Sequence, residues 1–290
     1  MKNFASIFPL VMIVSACGGG GGGTTKTPII PPYETLASNA ASTSALKGTA
    51  VRYSSPGGFV PDNVSVSGNL THSTGAISFT DGTTSLSDPD GRNANGSYTD
   101  GRNRLSTDGS TGISAGYEYV TLFHFFGPGS DSHGVYGIPT QTSDVPTLGS
   151  ATYQGRANVA AFKLNILRGD FVANMNNGDS AVKADFESGT VDVEMNNFRS
   201  TDLYGNISTA PLDEMTTTGM TISGNEFSGG TVTTRLNGQQ VDIAGSGATQ
   251  SASGVFYGYD PSISAPDEVG GQALISDGDA IHVRGVFVAD

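Results

Sequence analysis

Apolar and polar residues alternate with a period of two over much of the second half of the chain. Apolar residues occupy every second position of 182–186 and again of 191–195, and Ser188-Gly189 lies between the two runs. A period of two places successive side chains on opposite faces of a β-strand. The pattern therefore predicts two half-buried strands joined by a tight turn.

The same alternation continues to the end of the sequence at Asp290 and gives the last predicted strand two distinct faces. One face carries Ile281, Val283, Gly285, Phe287 and Ala289, and the other carries His282, Arg284, Val286 and Val288. A terminal strand must pair or remain an exposed edge, so we expect it to pair with the first strand of this half, near Ala151–Gln154. About eight strands can be counted over 148–290, and Asn237-Gly238 marks a hairpin between two of them. This half is therefore predicted to form a closed barrel filled by its own side chains.

Shorter alternating runs occur between residues 46 and 147, where glycine and polar residues interrupt them more often. The runs are Ala50–Tyr53, Val64–Ser67, Ala76–Phe79 and Tyr117–Phe126, with turn signals at Pro56-Gly57-Gly58, Asp81-Gly82 and Gly127-Pro128-Gly129. The tetrapeptide Asp90–Asn93 is repeated as Asp100–Asn103, which we interpret as two turns of a hairpin-rich region. We predict an all-β protein, with a C-terminal eight-stranded antiparallel β-barrel preceded by an irregular β-rich domain.

The N-terminus has the features of an export signal that ends in a lipid attachment site. Lys2 precedes a short apolar stretch, and Val14-Ser15-Ala16-Cys17 fits a lipobox. The apolar stretch is too short to span a bilayer of roughly 30 Å. We therefore predict a signal peptide over 1–16, cleavage between Ala16 and Cys17, and acylation (palmitate) of Cys17.

A flexible tether is predicted to follow the lipidated cysteine. Six glycines occupy 18–23, Thr- and Pro-rich sequence follows, and the tether is predicted to run from 17 to 45. Such linkers behave as random coils, so this one would hold a folded body away from the lipid surface. Glycine rather than aspartate directly after Cys17 indicates sorting to the outer membrane.

Composition and charge narrow the classes of partner. The chain has 41 glycines, no tryptophan and a net charge of −13, with a pI near 4.5. An acidic body is a poor partner for nucleic acid and for anionic lipid, so no nucleic acid is expected. Cys17 is the single cysteine, which excludes an intramolecular disulfide framework.

The sequence contains little that indicates catalysis. The four histidines (His72, His124, His133 and His282) have no H-E-x-x-H or comparable metal-ligand spacing, and no G-x-S-x-G elbow is present. The carboxylates of Asp213-Glu214 and Asp267-Glu268 are assigned to loops, with nothing that pairs them as acid and base. We expect no enzyme activity and no required cofactor. His124 and His133 could approach each other and bind haem or a metal ion as a pair. The alternative is that neither is a ligand, one imidazole being partly buried and the other exposed.

Several of these segments resemble the barrel strands of transferrin-binding protein B-like surface lipoproteins. The matching segments are Gly149–Gly155, Ala184–Phe186, Thr190–Val193, Gly254–Gly258, Glu268–Gly271 and Arg284–Ala289, with Gly134–Gly137 resembling the family's connection from handle to barrel. Tyr259 departs from the family pattern, which has proline there. The resemblance implies a handle-like domain over 46–147 and a barrel over 148–290. The length fits one handle-plus-barrel lobe, as in factor H-binding-like and haem-scavenging relatives.

The resemblance also implies a function. We expect an outer-membrane, surface-exposed lipoprotein that binds a protein ligand or an iron or haem source and is exported by a dedicated outer-membrane translocator. Gly127–Gly134, Asn197–Met215 and Tyr259–Asp267 are the candidate recognition loops, since binding residues concentrate on loops held by a rigid scaffold. The alternatives are a periplasm-facing carrier of a small solute or haem, and a structural or adhesive envelope lipoprotein.

Overall fold

The alternating segments form two antiparallel sheets in the computed structural model of the protein. The structure describes residues 33–54, 61–107, 116–165, 170–201, 207–209, 212–242, 247–277 and 281–290. Ala16, Cys17, the part of the predicted tether up to residue 32 and the predicted turn at 56–58 lie outside these residues, so their assignments stay predictions. The remainder of the predicted tether, 33–45, packs with the body: Tyr33 and Leu36 contact the core of the first sheet, and the first strand begins at Thr43. None of the helices in the described part of the chain has the length and apolar character needed to cross a bilayer.

The first sheet, which we call the handle sheet, has eight strands in the order β4-β3-β2-β1-β8-β7-β6-β5. Its strands are β1 (Thr43–Ser54), β2 (Pro61–Thr71), β3 (Ala76–Thr80), β4 (Ser85–Asp88), β5 (Ser97–Thr99), β6 (Arg104–Thr107), β7 (Val120–Gly127) and β8 (Ser130–Gly137). All of its pairings are antiparallel. The four predicted strands correspond to β1, β2, β3 and β7, and the region is more regular than the sequence suggests.

The handle sheet curls until its two edge strands lie side by side. Asp88 at the end of β4 accepts a hydrogen bond of 2.7 Å from the N–H of Thr99 at the end of β5. The enclosed face is apolar, with Phe79, Phe123 and Phe125 packed edge to face at ring-centroid distances of 5.0 and 5.2 Å from Phe79. Edge-to-face aromatic packing is favourable beyond the area that it buries. The handle sheet therefore has a core of its own.

The second sheet closes on itself. Its strands are β9 (Ser150–Asn165), β10 (Asp170–Asp185), β11 (Thr190–Thr201), β12 (Ile207–Thr209), β13 (Glu214–Ser223), β14 (Glu226–Leu236), β15 (Gln239–Val241), β16 (Thr249–Tyr257), β17 (Glu268–Ser276) and β18 (Ile281–Ala289). The ring β10-β9-β18-β17-β16-β14-β13-β11 returns to β10 through the β10–β11 pairing, and β12 and β15 are short additions. This confirms the predicted eight-stranded antiparallel barrel.

Side chains fill the barrel. The inward positions include Val182, Ala184 and Phe186 on β10 and Val191, Val193 and Met195 on β11, all of them buried as the alternation predicts. Gly285 leaves room at the centre, because a Cβ there would lie 2.8 Å from Cε of Met195 and 2.9 Å from Sδ of Met215. An eight-stranded ring is just wide enough for its own side chains.

The two turns predicted with most detail have the expected backbone. Asn237 and Gly238 both have positive φ, 52° and 72°, which is the type I′ geometry of a two-residue hairpin between β14 and β15. Gly189 in the β10–β11 turn also has a positive φ, 68°. The terminal strand β18 pairs with β9 from Ala289↔Gly155 to Ile281↔Lys163, so the first and last barrel strands meet as predicted.

Candidate functional site

The two faces of β18 have different partners. Val283, Phe287 and Ala289 are buried in the barrel interior, whereas Val286 and Val288 pack outside it against the handle sheet. The residues of that outer contact are Val120, Leu122 and Val135 of the handle sheet and Val255, Tyr257, Val286 and Val288 of the barrel. The alternation in the last strand thus indicates both the core of the barrel and the surface to which the handle sheet attaches.

Glu268 is the strongest polar link between the two sheets. It is 3% exposed, and its carboxylate accepts hydrogen bonds from the N–H groups of Glu118, Tyr119 and Val120 at 2.6, 2.8 and 2.9 Å. Burial raises the pKa of Glu268 to about 7 against the opposing effect of these three donors. Glu268 was assigned to a loop from the sequence, but it is the first residue of β17.

The Gly-Gly pair after Glu268 is explained by the same contact. Gly270 faces the handle sheet, where a Cβ would lie 3.2 Å from Cγ2 of Val120 and 3.4 Å from Cγ2 of Val135. Gly271 faces inward, where a Cβ would lie 2.6 Å from Cζ of Phe287. Both glycines therefore permit close packing, one on each side of the barrel wall.

The strands run between two ends of the body, which we name by their residues. The tether end carries Tyr33, the loop 258–267 and the C-terminal Asp290; Tyr33 stacks on Tyr259 with ring centroids 6.4 Å apart. The distal end carries the turns 81–84, 100–103 and 127–130 of the handle sheet and the ends of β11, β14 and β17 in the barrel. A strand of nine residues such as β18 separates the two ends by about 30 Å.

The candidate recognition loops fall at both ends. Gly127–Gly134 and the described residues of Asn197–Met215 lie at the distal end, and Tyr259–Asp267 lies at the tether end. The first of these is a two-residue turn followed by β8 rather than a long loop, and part of the second lies outside the described residues. In Tyr259–Asp267, Ile263 is 60% exposed and Ser264 has a positive φ of 54°.

His124 and His133, the pair singled out from the sequence, meet at the distal end. They are directly opposite each other on β7 and β8, and their rings stack with centroids 4.1 Å apart and an interplanar angle of 8°. Nε2 of His124 lies 2.8 Å and Nε2 of His133 lies 3.0 Å from the same oxygen, Oδ1 of Asp131. We call His124, Asp131 and His133 the histidine cluster.

The environment of the histidine cluster sets its charge. Burial acts to raise the pKa of Asp131, but the hydrogen bonds from His124 and His133 outweigh it and hold the pKa below its usual range. Burial and then the charge of Arg284 lower the pKa of His133 to about 3. At neutral pH, the carboxylate of Asp131 is therefore ionised and the His133 ring is neutral.

Behind the cluster, a group of buried polar and aromatic side chains occupies one part of the contact between the sheets. The guanidinium carbon of Arg284 lies 5.9 Å from the ring centroid of Tyr53, which also contacts the rings of His133 and His282 at 6.4 and 5.6 Å. Arg284 is 2% exposed. The group is continuous from β18 of the barrel to the cluster on β7 and β8 of the handle sheet.

Phe126 gives the distal end an exposed aromatic side chain. It is 57% exposed, follows His124 on the same face of β7, and lies 6.4 Å from the His124 ring. Exposed large apolar residues are few over the whole described part of the chain, the others being Leu148, Leu236 and Ile263. An exposed aromatic group beside polar, rigidly held neighbours is typical of a protein-binding surface.

The architecture is that of a two-part lobe, with a curled handle sheet fastened to a closed, filled barrel. Residues 145–290 match the family model described as the C-lobe and N-lobe β-barrels of Tf-binding protein B. This match covers half of the sequence and includes the whole barrel. The chain belongs to this family, as the resemblance of its barrel strands indicates.

Solved structures similar to the chain include transferrin binding proteins B from two organisms. A double mutant from Haemophilus parasuis Hp5 is 16% identical (84% of this chain, 44% of that chain, TM-score 0.49). The isotype 1 protein from serogroup B Neisseria meningitidis is 18% identical (84% and 43%, TM-score 0.48). The chain thus spans less than half the length of either protein. A structure described as a surface lipoprotein is 13% identical (84% and 98%, TM-score 0.41). No curated protein sequence matches the chain.

Proposed function

We propose that the protein is an outer-membrane lipoprotein, anchored through an acylated Cys17 and displayed on the cell surface, that binds a protein ligand through its distal end. The observation that carries the proposal is the position of Tyr33, where the described body begins, at the end opposite Phe126 and the histidine cluster. A tether that joins the body at Tyr33 attaches it at the end opposite the distal end, so the attachment leaves the distal end free for a partner.

The barrel and the contact between the sheets support surface binding over an internal site. The barrel interior is filled by buried side chains. Polar contacts occupy the middle of the contact between the sheets, where Thr49 Oγ1 lies 2.5 Å from Ser253 Oγ and Gln272 Nε2 donates to Ser253 at 3.1 Å. A periplasm-facing carrier that holds a solute between the two sheets has no comparable support. Binding rather than catalysis is also the role named for the solved relatives.

The relatives suggest which ligand to test first. The solved structures are named for binding transferrin, so transferrin is the first protein ligand to examine for this chain. Membership of the Tf-binding protein B family favours export through a dedicated outer-membrane translocator and access to an iron source outside the cell. Cells that produce the full chain would be incubated with labelled transferrin, and retained label would be measured after washing.

Two matched substitutions test which end binds. Phe126 and Ile263 are large apolar residues, 57% and 60% exposed, at opposite ends of the body. We expect Phe126→Ser to weaken ligand binding at least about tenfold, since exposed aromatic anchors carry much of the binding energy in protein interfaces. Ile263→Ser should bind as the wild type does. Loss with Ile263→Ser and not with Phe126→Ser would contradict binding at the distal end.

A further inference from the structure

The histidine cluster has the donor set and the placement of a metal site. We propose that His124, Asp131 and His133 bind one divalent transition-metal ion, with Zn²⁺ the best match, at the distal end of the handle sheet. Their donor atoms all lie within 4.8 Å of one another, and the cluster is the one group of three such residues found in the part of the chain that the structure describes. The inference does not depend on the proposed protein ligand.

The backbone holds the two imidazoles in position for chelation. His124 and His133 face each other across the β7–β8 ladder, where directly opposite Cβ atoms are about 4.5–5.5 Å apart. The strands join through a two-residue turn, so their register is fixed close to the cluster. Because the scaffold is rigid, little conformational entropy would be lost when an ion orders the side chains.

The distances are close to those that a bound ion requires. Zn²⁺ binds histidine nitrogen and carboxylate oxygen at about 2.0–2.2 Å, so tetrahedral ligands lie about 3.3 Å apart. The two Nε2 atoms are 2.8 and 3.0 Å from Oδ1 of Asp131. An outward shift of a few tenths of an ångström would make room for the ion. Because the two rings are parallel to within 8°, they must also tilt so that the Nε2 lone pairs converge on it. Two histidines and one carboxylate are also a ligand set that leaves a coordination position open.

The arrangement of the rings favours a small ion over haem. Ligands on the two sides of a haem iron point toward each other across the macrocycle. These two rings instead stack face to face with centroids 4.1 Å apart, which leaves no room for a macrocycle between them, and both Nε2 atoms lie within 3.0 Å of one oxygen. The side chain of His124 is 45% exposed and that of Asp131 35%. The open coordination position therefore faces solvent, next to Phe126, where water or a donor from a partner can occupy it.

Titration of the full chain with Zn²⁺ alone, followed by calorimetry, tests the site. We expect one saturable site per chain in the wild type and in His72→Gln, since His72 is buried elsewhere and contacts Ser44. Asp131→Asn and His124→Gln should each weaken binding by roughly 100-fold or more, because even the loss of an outer-shell partner costs 10–100-fold. Cys17 is present in every variant, so its contribution would not differ among them. Equal affinity in all four proteins, or no saturable site, would overturn the proposal.

A spectroscopic measurement separates ligation from a purely structural role. Cu²⁺ binds the same kinds of nitrogen-rich site as Zn²⁺, and it binds them more tightly. Its electron paramagnetic resonance spectrum should show coupling to two nitrogens in the wild type and to one in His124→Gln. Thermal unfolding in the presence of a chelator provides the folding control. If His124→Gln is unfolded, Asp131→Asn, which preserves side-chain shape, decides the outcome. Metal affinity equal to that of the wild type in Asp131→Asn would overturn the role of the carboxylate as a ligand.

Discussion

Replacing Glu268 with alanine is expected to lower the free energy of unfolding by about 3 to 5 kcal/mol. The substitution removes the acceptor of three N–H groups: that of Val120 in a buried hydrogen bond and those of Glu118 and Tyr119 in part-buried ones. A buried donor left without a partner costs about 1–3 kcal/mol, and the two part-buried donors add less. Urea denaturation at neutral pH, followed by tyrosine fluorescence, measures the change. Glu268→Gln keeps one acceptor oxygen and should lie between alanine and the wild type.

A second glutamate provides the matched control for this substitution. Glu187 is exposed in the β10–β11 turn, and Glu187→Ala should change stability by no more than about 0.5 kcal/mol. If Glu268→Ala were as mild as Glu187→Ala, the carboxylate would not be what fastens the start of β7 to the barrel.

Replacing Phe256 with alanine is expected to cost about 3 to 5 kcal/mol of stability through loss of packing in the barrel. Phe256 is fully buried, and its ring packs against Phe227 and Phe186 at centroid distances of 5.1 and 5.7 Å. Removing a buried aromatic ring loses its transfer free energy and leaves a cavity that the closed ring of strands fills only in part. Urea denaturation of the purified chain again gives the value.

The same chemical change at an exposed position is its control. Phe126→Ala at the distal end should alter the free energy of unfolding by about 0.5 kcal/mol or less, because the Phe126 side chain is 57% exposed. Equal costs at Phe126 and Phe256 would mean that the barrel interior is not the packed core described here.

The barrel could be predicted from sequence because its signals are local. Alternation at 182–186 and 191–195 and the Asn237-Gly238 pair each specify a strand or turn within a few residues. The pairing of β18 with β9 spans the whole barrel, but the uninterrupted alternation over 281–289 marks a strand that needs a partner on each side. The first strand of the barrel supplies one of them.

The handle sheet was less predictable because its strands depend on distant neighbours. β8 reads Ser130–Gly137 and holds two glycines and two serines, which have little intrinsic strand preference. It becomes a strand because β1 and β7 pair with it on both sides. The sequence therefore suggested a recognition loop where the structure has a turn and a strand.

The candidate site also combines features that local sequence predicts with features that depend on distant residues. His124 and His133 are nine residues apart on either side of a Gly-Pro-Gly turn, so their approach was foreseeable, and the structure brings them together. The carboxylate between them was not recognised, because Asp131 carries no signal until the register of β7 and β8 is known. Glu268 and its donors are about 150 residues apart in sequence, which no local pattern reveals.

Surface display with the distal end outward is the central claim, and labelling of a single new thiol tests it most directly. Cys17 is the only native cysteine, and lipidation would block it, so Phe126→Cys adds one free thiol at the distal end. Cells producing this variant would be treated with a maleimide on a polymer too large to pass porins, and Val193→Cys, buried in the barrel, serves as the unreactive control. We predict equal labelling of Phe126→Cys on intact and permeabilised cells. Labelling only after permeabilisation would contradict display on the cell surface.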